Sequence, residues 1–387
     1  MISAANHVPP TPLSQARAEL ATGKEDDVTD SNSQVVPGID IAGLERYLPT
    51  VLADYDPAAG LTARLLAGGR SNLTCLLTQP PDRQWVLRRP PLGHLTPTAH
   101  DMGREFGTLS LLDGTGFPAP KPRALCTDQT VIGVTFLLYD YVPGRIISDA
   151  ETAGSLPDAE ASQLSGELIR TLAQLHAIPP PAPEPGRSSS SIGYLHRQLT
   201  RWTGQWQRNQ TRELPAFGQL ARWLTEEMGR LTSDYPSTFV HGDYRLDNLI
   251  LDPSTYQVRA VLDWEMSTFG DPLMDLALLL AYWEQPGDVL RQRVDVARNL
   301  TVAPGFWSRD RLLSEYLAAT AVPDEHLTAC LGLTCLKLAT IMEGIHLRHQ
   351  AGQALDDLSA GLADAAPALL EMGLQVAAGK GLAGLAS

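Results

Sequence analysis

Two short apolar segments in the middle of the chain enclose a polar loop whose side chains have a fixed spacing. The loop carries Asp243 and, five residues later, Asn248. A second carboxylate, Asp263, directly follows the next apolar run. Loop residues between two strands are held in place by the strand ends, so a functional loop is well supported there. We expect residues 238–250 to form a strand, a catalytic loop and a second strand.

The three side chains suit phosphoryl transfer. Mg²⁺ prefers one or two carboxylates together with substrate phosphates and waters. An Asp five residues before an Asn, with another Asp soon after, is typical of kinase-type sites. Asp243 could accept the proton of an attacking hydroxyl, while Asn248 and Asp263 would hold Mg²⁺ against ATP. Arg245 lies between them and could bind phosphate or pair with a carboxylate, and His241 is expected to brace the loop.

Composition limits the partners and the compartment. A chain of 387 residues favours two lobes, and the net charge of -14 argues against nucleic acid or an anionic membrane as partner. The 4 cysteines contain no Cys-x-x-Cys pair, which favours free thiols in a reducing cytosol. No secretory signal is visible, and the longest apolar run, Leu276–Trp283, is far below the ~20 residues of a membrane span. The sequence therefore predicts a soluble, cytoplasmic protein.

The first part of the chain predicts a flexible tail and a small mixed lobe. Residues 1–38 are rich in Pro, Ser, Thr, Asp and Asn without a sustained period, as in a flexible tail. Residues 39–141 are predicted to form a nucleotide-binding N-lobe. Its predicted elements are three strands, one helix and a final strand, at Leu61–Leu66, Leu73–Thr78, Gln84–Arg89, Met102–Leu112 and Val131–Tyr139.

Residues 142–387 are predicted to form a mostly helical, catalytic and acceptor-binding C-lobe. In the stretch 157–178 the apolar residues recur at spacings of four, four and three. The Pro-rich segment 179–191 cannot continue a helix and predicts a loop or connector. Asp271 is a candidate N-cap with Pro272 at the first helical position. The predicted helical stretches are Pro157–Ile178, Tyr194–Gln210, Phe217–Leu231, Pro272–Trp283, 309–350 and 354–378.

These motifs resemble those of the aminoglycoside-phosphotransferase and choline-kinase-like enzymes, which are relatives of protein kinases. The branch that the chain looks most similar to is the kinase-like domain fused to, or encoded beside, acyl-CoA dehydrogenases. The resemblance covers about residues 60–350 in the family's order. It rests on seven segments, at Gly68–Thr74, Trp85–Pro91, Arg104–Phe106, Tyr139–Gly144, His241–Asn248, Leu262–Glu265 and Gly270–Ala277.

The resemblance implies an α+β, protein-kinase-like fold with a β-rich N-lobe and a larger helical C-lobe. It implies that Asp243 is the catalytic base, with Arg245 beside it, and that Asn248 and Asp263 are Mg²⁺ ligands. It further implies that Asp275 braces the catalytic loop. Three groups of residues are implied to bind ATP. The loop over the phosphates is Gly68, Gly69, Arg70, Ser71 and Asn72, and the basic residue of the third strand, Arg88, is oriented by the helix carboxylate Glu105. The hinge that binds adenine is Tyr139, Asp140 and Tyr141.

Two departures from the family pattern concern phosphate binding. Arg88 stands where most kinases have Lys, with Arg89 beside it. A guanidinium can hold phosphate oxygens bidentately, but Arg and Lys do not fit the same geometry. The glycine loop also lacks the spaced glycines of protein kinases. The sequence leaves open which arginine contacts the phosphates and whether GTP can replace ATP.

The acceptor is expected to be a small molecule with a hydroxyl group. An aminoglycoside would favour acidic surroundings, whereas a hydroxyacyl-CoA thioester would favour basic ones. The branch resemblance favours a hydroxyacyl-CoA or hydroxy-acid metabolite, and the basic residues that could serve it are His94, His100, Arg104 and the pair Arg88 and Arg89. The alternatives are a catalytically silent kinase fold that binds nucleotide or acts as a scaffold, and a metal-dependent phosphohydrolase. The sequence carries no signal for the oligomeric state.

Overall fold

The computed structural model describes residues 36–68, 72–92, 101–180, 190–294, 296, 299–352 and 363–385. Most of the predicted tail and of the Pro-rich connector lies outside these ranges. The chain divides into two compact units. The N-lobe comprises residues up to Ile146 together with Ile250–Pro253 and Arg259–Glu265, and the C-lobe comprises the remainder. The predicted α+β class is confirmed, while the predicted functional boundaries at residues 38 and 141 stay predictions.

The N-lobe is built on one five-stranded antiparallel sheet with the strand order β1-β2-β3-β5-β4. Three α-helices accompany it among the described residues. The strands are β1 (Thr62–Gly68), β2 (Leu73–Gln79), β3 (Arg83–Arg89), β4 (Pro122–Cys126) and β5 (Phe136–Asp140). The helices are α1 (Ile41–Tyr47), α2 (Met102–Leu112) and α3 (Gln129–Ile132).

The N-lobe core lies where α1 meets the sheet. Leu44 and Leu48 pack with inward-facing strand residues such as Leu77, Leu87 and Leu138. Burial of each such side chain contributes about 1.5–3 kcal/mol. Helix α2 packs against β4 and β5, and this position brings its buried residue Glu105 to the β3 side chains described below.

The sequence predicted β1, β2, β3 and α2 at the observed places, but one N-lobe prediction was wrong. The first part of the predicted strand 131–139 is the end of α3. The Asp128 side chain accepts a hydrogen bond from the Thr130 N–H and caps this helix, and Gly133 ends it with a φ of 84°. A short apolar run does not distinguish a helix from a buried strand. Helix α1 and strand β4 were not predicted.

The C-lobe is mostly helical. Its helices are α4 (Ala150–Gly154), α5 (Asp158–His176), α6 (Ser191–Asn209), α7 (Pro215–Met228), α8 (Leu273–Tyr282), α9 (Arg309–Thr320), α10 (Leu327–Gln350) and α11 (Ala365–Gln375). Two of its short strands, β6 (Thr238–Val240) and β9 (Thr268–Gly270), pair with each other. A second pair, β7 (Leu249–Leu251) with β8 (Val258–Val261), belongs mostly to the N-lobe as defined above. The predicted stretch 309–350 divides into α9 and α10 because Ala321 has a φ of 54° and Pro323 cannot continue a helix.

Helix α10 is the central helix of the C-lobe and packs against α6, α7, α8 and α11. Together with the turn before it, Asp324–Gln350 is long and apolar enough to cross a membrane by length and composition. However, 83% of its apolar window is buried inside the protein, as in the core helix of a globular domain. The predicted absence of a membrane partner stays a prediction.

Candidate active site

The loop between β6 and β7 begins with a backbone brace. Asp275, in the first turn of α8, is fully buried. Its carboxylate accepts hydrogen bonds from the N–H groups of His241 at 2.6 Å and Gly242 at 2.8 Å. The Asp275 side chain therefore fixes two successive peptide groups of the loop. The family resemblance implies this bracing role for Asp275.

A chain of buried polar groups supports this brace. His176 Nε2 lies 3.3 Å from Asp275 Oδ2, and His176 Nδ1 lies 2.6 Å from the Tyr316 hydroxyl. Burial alone would raise the pKa of Asp275, but the hydrogen bond from His176, the charges of His176 and His241 and the Gly242 N–H together lower the pKa below its ordinary value. The carboxylate is thus kept in its charged, accepting form.

Gly242 has a conformation that a side chain would not tolerate. Its φ is 83°, and a Cβ atom there would lie 2.6 Å from the Met266 carbonyl oxygen. The next N–H, of Asp243, donates to His241 Nδ1 at 3.1 Å. Because Nδ1 accepts this hydrogen bond, the ring proton of His241 lies on Nε2. His241 therefore braces the loop, as the sequence indicated.

The side chains of Asp243 and Asn248 contact each other at the end of this loop. Asn248 Nδ2 donates to the Asp243 carbonyl oxygen at 2.9 Å and to its carboxylate at 3.2 Å. Both bonds use the amide nitrogen of Asn248, so the carboxamide oxygen, which would bind a metal, takes no part in them. The short 3-10 helix Leu246–Asn248 turns the chain back, so that Asn248 lies next to Asp243.

Arg245 pairs with carboxylates, which is one of the two roles that the sequence left open. Its Nε lies 3.3 Å from Asp243 Oδ2, and its Nη1 lies 3.1 Å from Asp247 Oδ2. The guanidinium also lies over the Tyr282 ring at 5.2 Å. Burial raises the pKa of Tyr282, and the Asp243 charge raises it further, so this ring stays neutral beside the loop.

A second cluster of predicted site residues lies within the N-lobe around Arg88, on β3. Its Nη1 lies 3.3 Å from Glu105 Oε1, and its Nη2 lies 2.7 Å from Asp263 Oδ1 and 3.4 Å from Glu265 Oε2. Asn72 Nδ2 donates to the same Glu265 oxygen at 3.1 Å. The structure therefore brings together Asn72, Arg88, Glu105 and Asp263, which sequence reasoning had assigned to ATP and metal binding.

The charges of this cluster do not cancel, because three carboxylates surround one guanidinium. Burial lowers the pKa of Arg88, but Glu105, Asp263 and Tyr139 raise it well above its ordinary value. Burial raises the pKa of Glu105 to about 7, against the opposing effect of Arg88 and with a further increase from Asp263. Arg88 is thus held charged, whereas Glu105 takes up a proton near neutral pH.

Asp263 has an unfavourable backbone conformation. Its φ of 69° is uncommon for a residue with a side chain and costs of order 1 kcal/mol or more. Such strain clusters at functional sites, where the surrounding contacts hold it. Here the ion pair with Arg88 holds the Asp263 carboxylate in place. The pair uses the Oδ1 oxygen of that carboxylate.

The two neighbouring arginines of β3 have different partners. Arg89 donates from Nη1 to the Gly38 carbonyl at 2.5 Å and from Nε to the Pro90 carbonyl at 3.1 Å. Successive side chains of a strand point to opposite faces, which separates Arg89 from the cluster around Arg88. Of the two candidates, Arg88 is therefore the one that lies beside Asp263.

The predicted hinge residues are placed at the end of β5. Asp140 forms a two-pronged ion pair with Arg123 at 2.6 and 2.8 Å. The Asp140 N–H donates to the Lys121 carbonyl and the Tyr141 N–H to the Gln84 carbonyl. Both N–H groups are used, so adenine recognition by these residues would rely on carbonyl oxygens. In the predicted phosphate loop, Gly68 ends β1, while Gly69, Arg70 and Ser71 lie outside the described residues.

The residues fit the predicted nucleotide and metal. Asp263 and Glu265 are partly exposed and belong to a cluster with surplus negative charge, which a divalent cation would compensate. The oxygen atoms Asn72 Oδ1 and Glu105 Oε2 are buried without a hydrogen-bond partner. Such burial costs free energy unless a bound group donates a hydrogen bond to the oxygen or coordinates it. Within the C-lobe, Asn248 carries an amide oxygen of the kind Mg²⁺ binds, and within the N-lobe Asp263 carries a carboxylate oxygen of that kind.

Sequence reasoning missed Lys337. This residue of α10 donates from Nζ to the Gly242 carbonyl oxygen at 2.5 Å and is only 7% exposed. Burial lowers its pKa, while the charges of Asp243 and Asp275 oppose that effect. The available signal was one lysine in an otherwise uncharged run from Leu327 to Met342, because a lysine is rarely buried without a specific partner.

Comparisons with known proteins identify the family. A family model described as the phosphotransferase enzyme family matches residues 62–326. Acyl-CoA dehydrogenase family member 11 of Rattus norvegicus is 35% identical over 361 residues, which cover 91% of this chain and 45% of that protein. Acyl-CoA dehydrogenase family member 10 of Mus musculus is 32% identical, over 80% of this chain and 28% of that protein. The chain thus spans less than half the length of either relative.

Solved structures share the fold. A protein of Ralstonia eutropha, named as a candidate aminoglycoside phosphotransferase, superposes with a TM-score of 0.70 at 28% identity, covering 88% of this chain and 98% of that one. A thermostable mutant of the aminoglycoside phosphotransferase APH(4)-Ia, solved with ADP and hygromycin B, gives a TM-score of 0.55 at 13% identity, covering 85% of this chain and 98% of that one. The predicted kinase-like fold is confirmed.

Proposed function

The chain belongs to the phosphotransferase enzyme family, and on that premise we propose that it transfers the γ-phosphate of ATP, in the presence of Mg²⁺, to a hydroxyl group of a small molecule. The observation that carries this proposal is the braced loop in which Asn248 contacts the Asp243 carboxylate. The Asp243 side chain is 24% exposed, so an acceptor hydroxyl can reach it. The ADP in the related APH(4)-Ia structure further supports a nucleotide donor.

Asp243 would act as the base. Its carboxylate accepts the proton of the acceptor hydroxyl, whose oxygen forms a bond to the γ-phosphorus. The bond from that phosphorus to the β,γ-bridging oxygen breaks, and the electron pair leaves with ADP. Proton transfer to a positioned side chain typically contributes 10²–10⁴-fold to such a rate. Arg245, which contacts Asp243 and Asp247, would keep the carboxylate turned towards the acceptor.

Asn248 and Asp263 would hold Mg²⁺, which when bound neutralises charge on the phosphates. Arg88 would use its guanidinium for phosphate oxygens, with Glu105 fixing its orientation on β3. Tyr139 lies next to Arg88, and burial raises the pKa of its hydroxyl although Arg88 opposes this. It therefore stays a neutral neighbour of the phosphate-binding arginine.

For the acceptor, we favour a hydroxyacyl-CoA or hydroxy acid over an aminoglycoside. Arg245 and Lys337 both interact with Asp243, and a polycationic acceptor would be repelled by both. The names of the related acyl-CoA dehydrogenase family members 10 and 11 point the same way. Among the basic residues first considered, Arg88 is assigned to the ATP phosphates and Arg89 bonds the Gly38 and Pro90 carbonyls. His94 and His100 lie outside the described residues, and Arg104 remains a candidate.

An acceptor panel tests the proposal. The purified chain would be incubated with ATP and Mg²⁺ and with 3- or 4-hydroxybutyryl-CoA, the free hydroxy acids, kanamycin or hygromycin B, and ADP and the phosphorylated product would be measured. We expect a phosphorylated acyl acceptor, with the Asp243→Asn variant inactive. ATP binding without turnover on any acceptor would instead support a silent nucleotide-binding fold. Phosphate release without an acceptor would support a phosphohydrolase.

A further inference from the structure

Lys337 combines high burial with a charge that no ordinary packing role requires. It is 7% exposed in the centre of α10, and its neighbours in sequence, Leu336 and Leu338, are buried apolar residues. Placing an ammonium group in such surroundings costs free energy unless the group is compensated. An apolar residue of similar length would fill this position at less cost, so stability alone does not account for a lysine here.

The described partners of the Lys337 ammonium lie within the C-lobe. Nζ donates to the Gly242 carbonyl oxygen at 2.5 Å and lies 5.9 Å from the Trp202 ring centroid. The charged groups that act on it are Asp243, Asp275 and, with like charge, Arg201 of α6. The ammonium thus contacts the backbone of the candidate catalytic loop directly, one residue before Asp243.

The hydrogen bond from Lys337 to the Gly242 carbonyl restrains the peptide group that joins Gly242 to Asp243. The Gly242 C=O and the Asp243 N–H are parts of one planar peptide group. Lys337 holds its oxygen, and His241 Nδ1 holds its N–H at 3.1 Å. The preceding peptide is held by Asp275 through the Gly242 N–H. The two peptide groups on either side of Gly242 are therefore clamped from α8, from α10 and from within the loop.

Glycine is the residue for which such a clamp is most needed. Gly242 has a φ of 83°, and without a Cβ it has access to several alternative backbone states. Rotation of the 242–243 peptide would turn the Cα–Cβ direction of Asp243. A hydrogen bond from a charged donor is about twice as strong as one from a neutral donor, so an ammonium restrains this peptide more firmly than a hydroxyl or amide would.

We propose that Lys337 is a positioning residue, which fixes the Gly242–Asp243 peptide and thereby directs the Asp243 carboxylate towards the acceptor hydroxyl. This role rests on the proposed function, in which Asp243 is the base. A misplacement of about 1 Å at such a group can lower the rate about 100-fold. In the proposed function the nucleotide is held by N-lobe residues, so its affinity should not depend on Lys337.

The test compares Lys337→Met with Leu338→Met, which places the same side chain at the adjacent buried position of α10. With 3- or 4-hydroxybutyryl-CoA as acceptor, we expect Lys337→Met to lower kcat about 100-fold, with KM for ATP within about twofold of the wild type. The midpoint of thermal unfolding should not fall, because replacing a buried charge by an apolar side chain is often neutral or stabilising. Leu338→Met should keep the wild-type kcat.

Hydrogen–deuterium exchange of the peptide that covers residues 241–249 tests the clamp without any acceptor. We expect faster exchange in Lys337→Met and unchanged exchange in Leu338→Met. If the wild type phosphorylates no acceptor, the proposed function fails, while the exchange data still decide whether Lys337 restrains the loop. Unchanged exchange in Lys337→Met, an unchanged kcat, or an equal loss of kcat in Leu338→Met would overturn the role of Lys337.

Discussion

Arg88 Nη2 lies 2.7 Å from Asp263 Oδ1, although 175 residues separate the two in the sequence. The other terminal nitrogen of the same guanidinium lies 3.3 Å from Glu105. One planar side chain therefore spans a helix carboxylate and the candidate metal-binding carboxylate. The fork geometry of arginine allows this, whereas the ammonium of lysine is a single point charge.

Replacing Arg88 by Lys should weaken ATP binding. Loss of one hydrogen bond to a charged group costs about 1.5–3 kcal/mol, which corresponds to an increase in Kd of about tenfold or more. Isothermal titration of ATP in the presence of Mg²⁺ measures this. Arg89→Lys is the matched control, since Arg89 bonds the Gly38 and Pro90 carbonyls. It should lower stability without changing the Kd, and equal effects of both variants would refute a specific role for Arg88.

Glu105 should make the stability of the N-lobe depend on pH. Its pKa is raised from 4.5 to about 7, so the folded state binds its proton more tightly than the unfolded state does. The stabilisation is fully present below about pH 4.5 and is lost as the pH rises through about 7. Over that interval the wild type should lose on the order of 3 kcal/mol relative to Glu105→Gln.

Denaturant unfolding of both proteins at several pH values between 4.5 and 8 measures this difference. Glu45→Gln, at an exposed position of α1, is the matched control and should follow the wild type at every pH. A difference between the wild type and Glu105→Gln that stays constant across the range would show that Glu105 does not titrate there.

Gly242→Ala should lower the free energy of unfolding more than Gly133→Ala does, although both glycines have the same backbone conformation. Gly133 has a φ of 84° with open space where a Cβ would lie, whereas at Gly242 that Cβ would meet the Met266 carbonyl at 2.6 Å. Gly133→Ala should cost about 1–3 kcal/mol from the backbone alone. Gly242→Ala should cost more and also abolish turnover. Equal costs in thermal unfolding would argue against the close contact with Met266.

Much of the fold could be predicted from the sequence because local patterns encode it. The short strands β2 and β3, the helix α2 and the strand–loop–strand around Asp243 all follow from local sequence patterns. The strand predicted over 131–139 was wrong because Asp128 and Gly133 cap a short helix inside an apolar run. The break between α9 and α10 was not predicted, because the residue with the positive φ there is Ala321 and not a glycine.

The site was less predictable where it depends on contacts between distant segments. The motif predicted Asp243, Asn248 and Asp263 as site residues. The pairing of Arg88 with Asp263, and the contacts of Arg89 with other groups, depend on which strand face each side chain occupies. Lys337 was missed because it lies in a helix far along the chain from the motif that it contacts. No local pattern specifies that contact.

The most direct test of the account is the turnover of Asp243→Asn with ATP, Mg²⁺ and the acyl acceptor that the wild type phosphorylates. Asp310→Asn, at an exposed position of α9, serves as the control. We predict that Asp243→Asn loses about 10²–10⁴-fold in kcat while its Kd for ATP stays that of the wild type, and that Asp310→Asn is fully active. Wild-type kcat in Asp243→Asn would contradict the assignment of Asp243 as the base and, with it, the proposed mechanism.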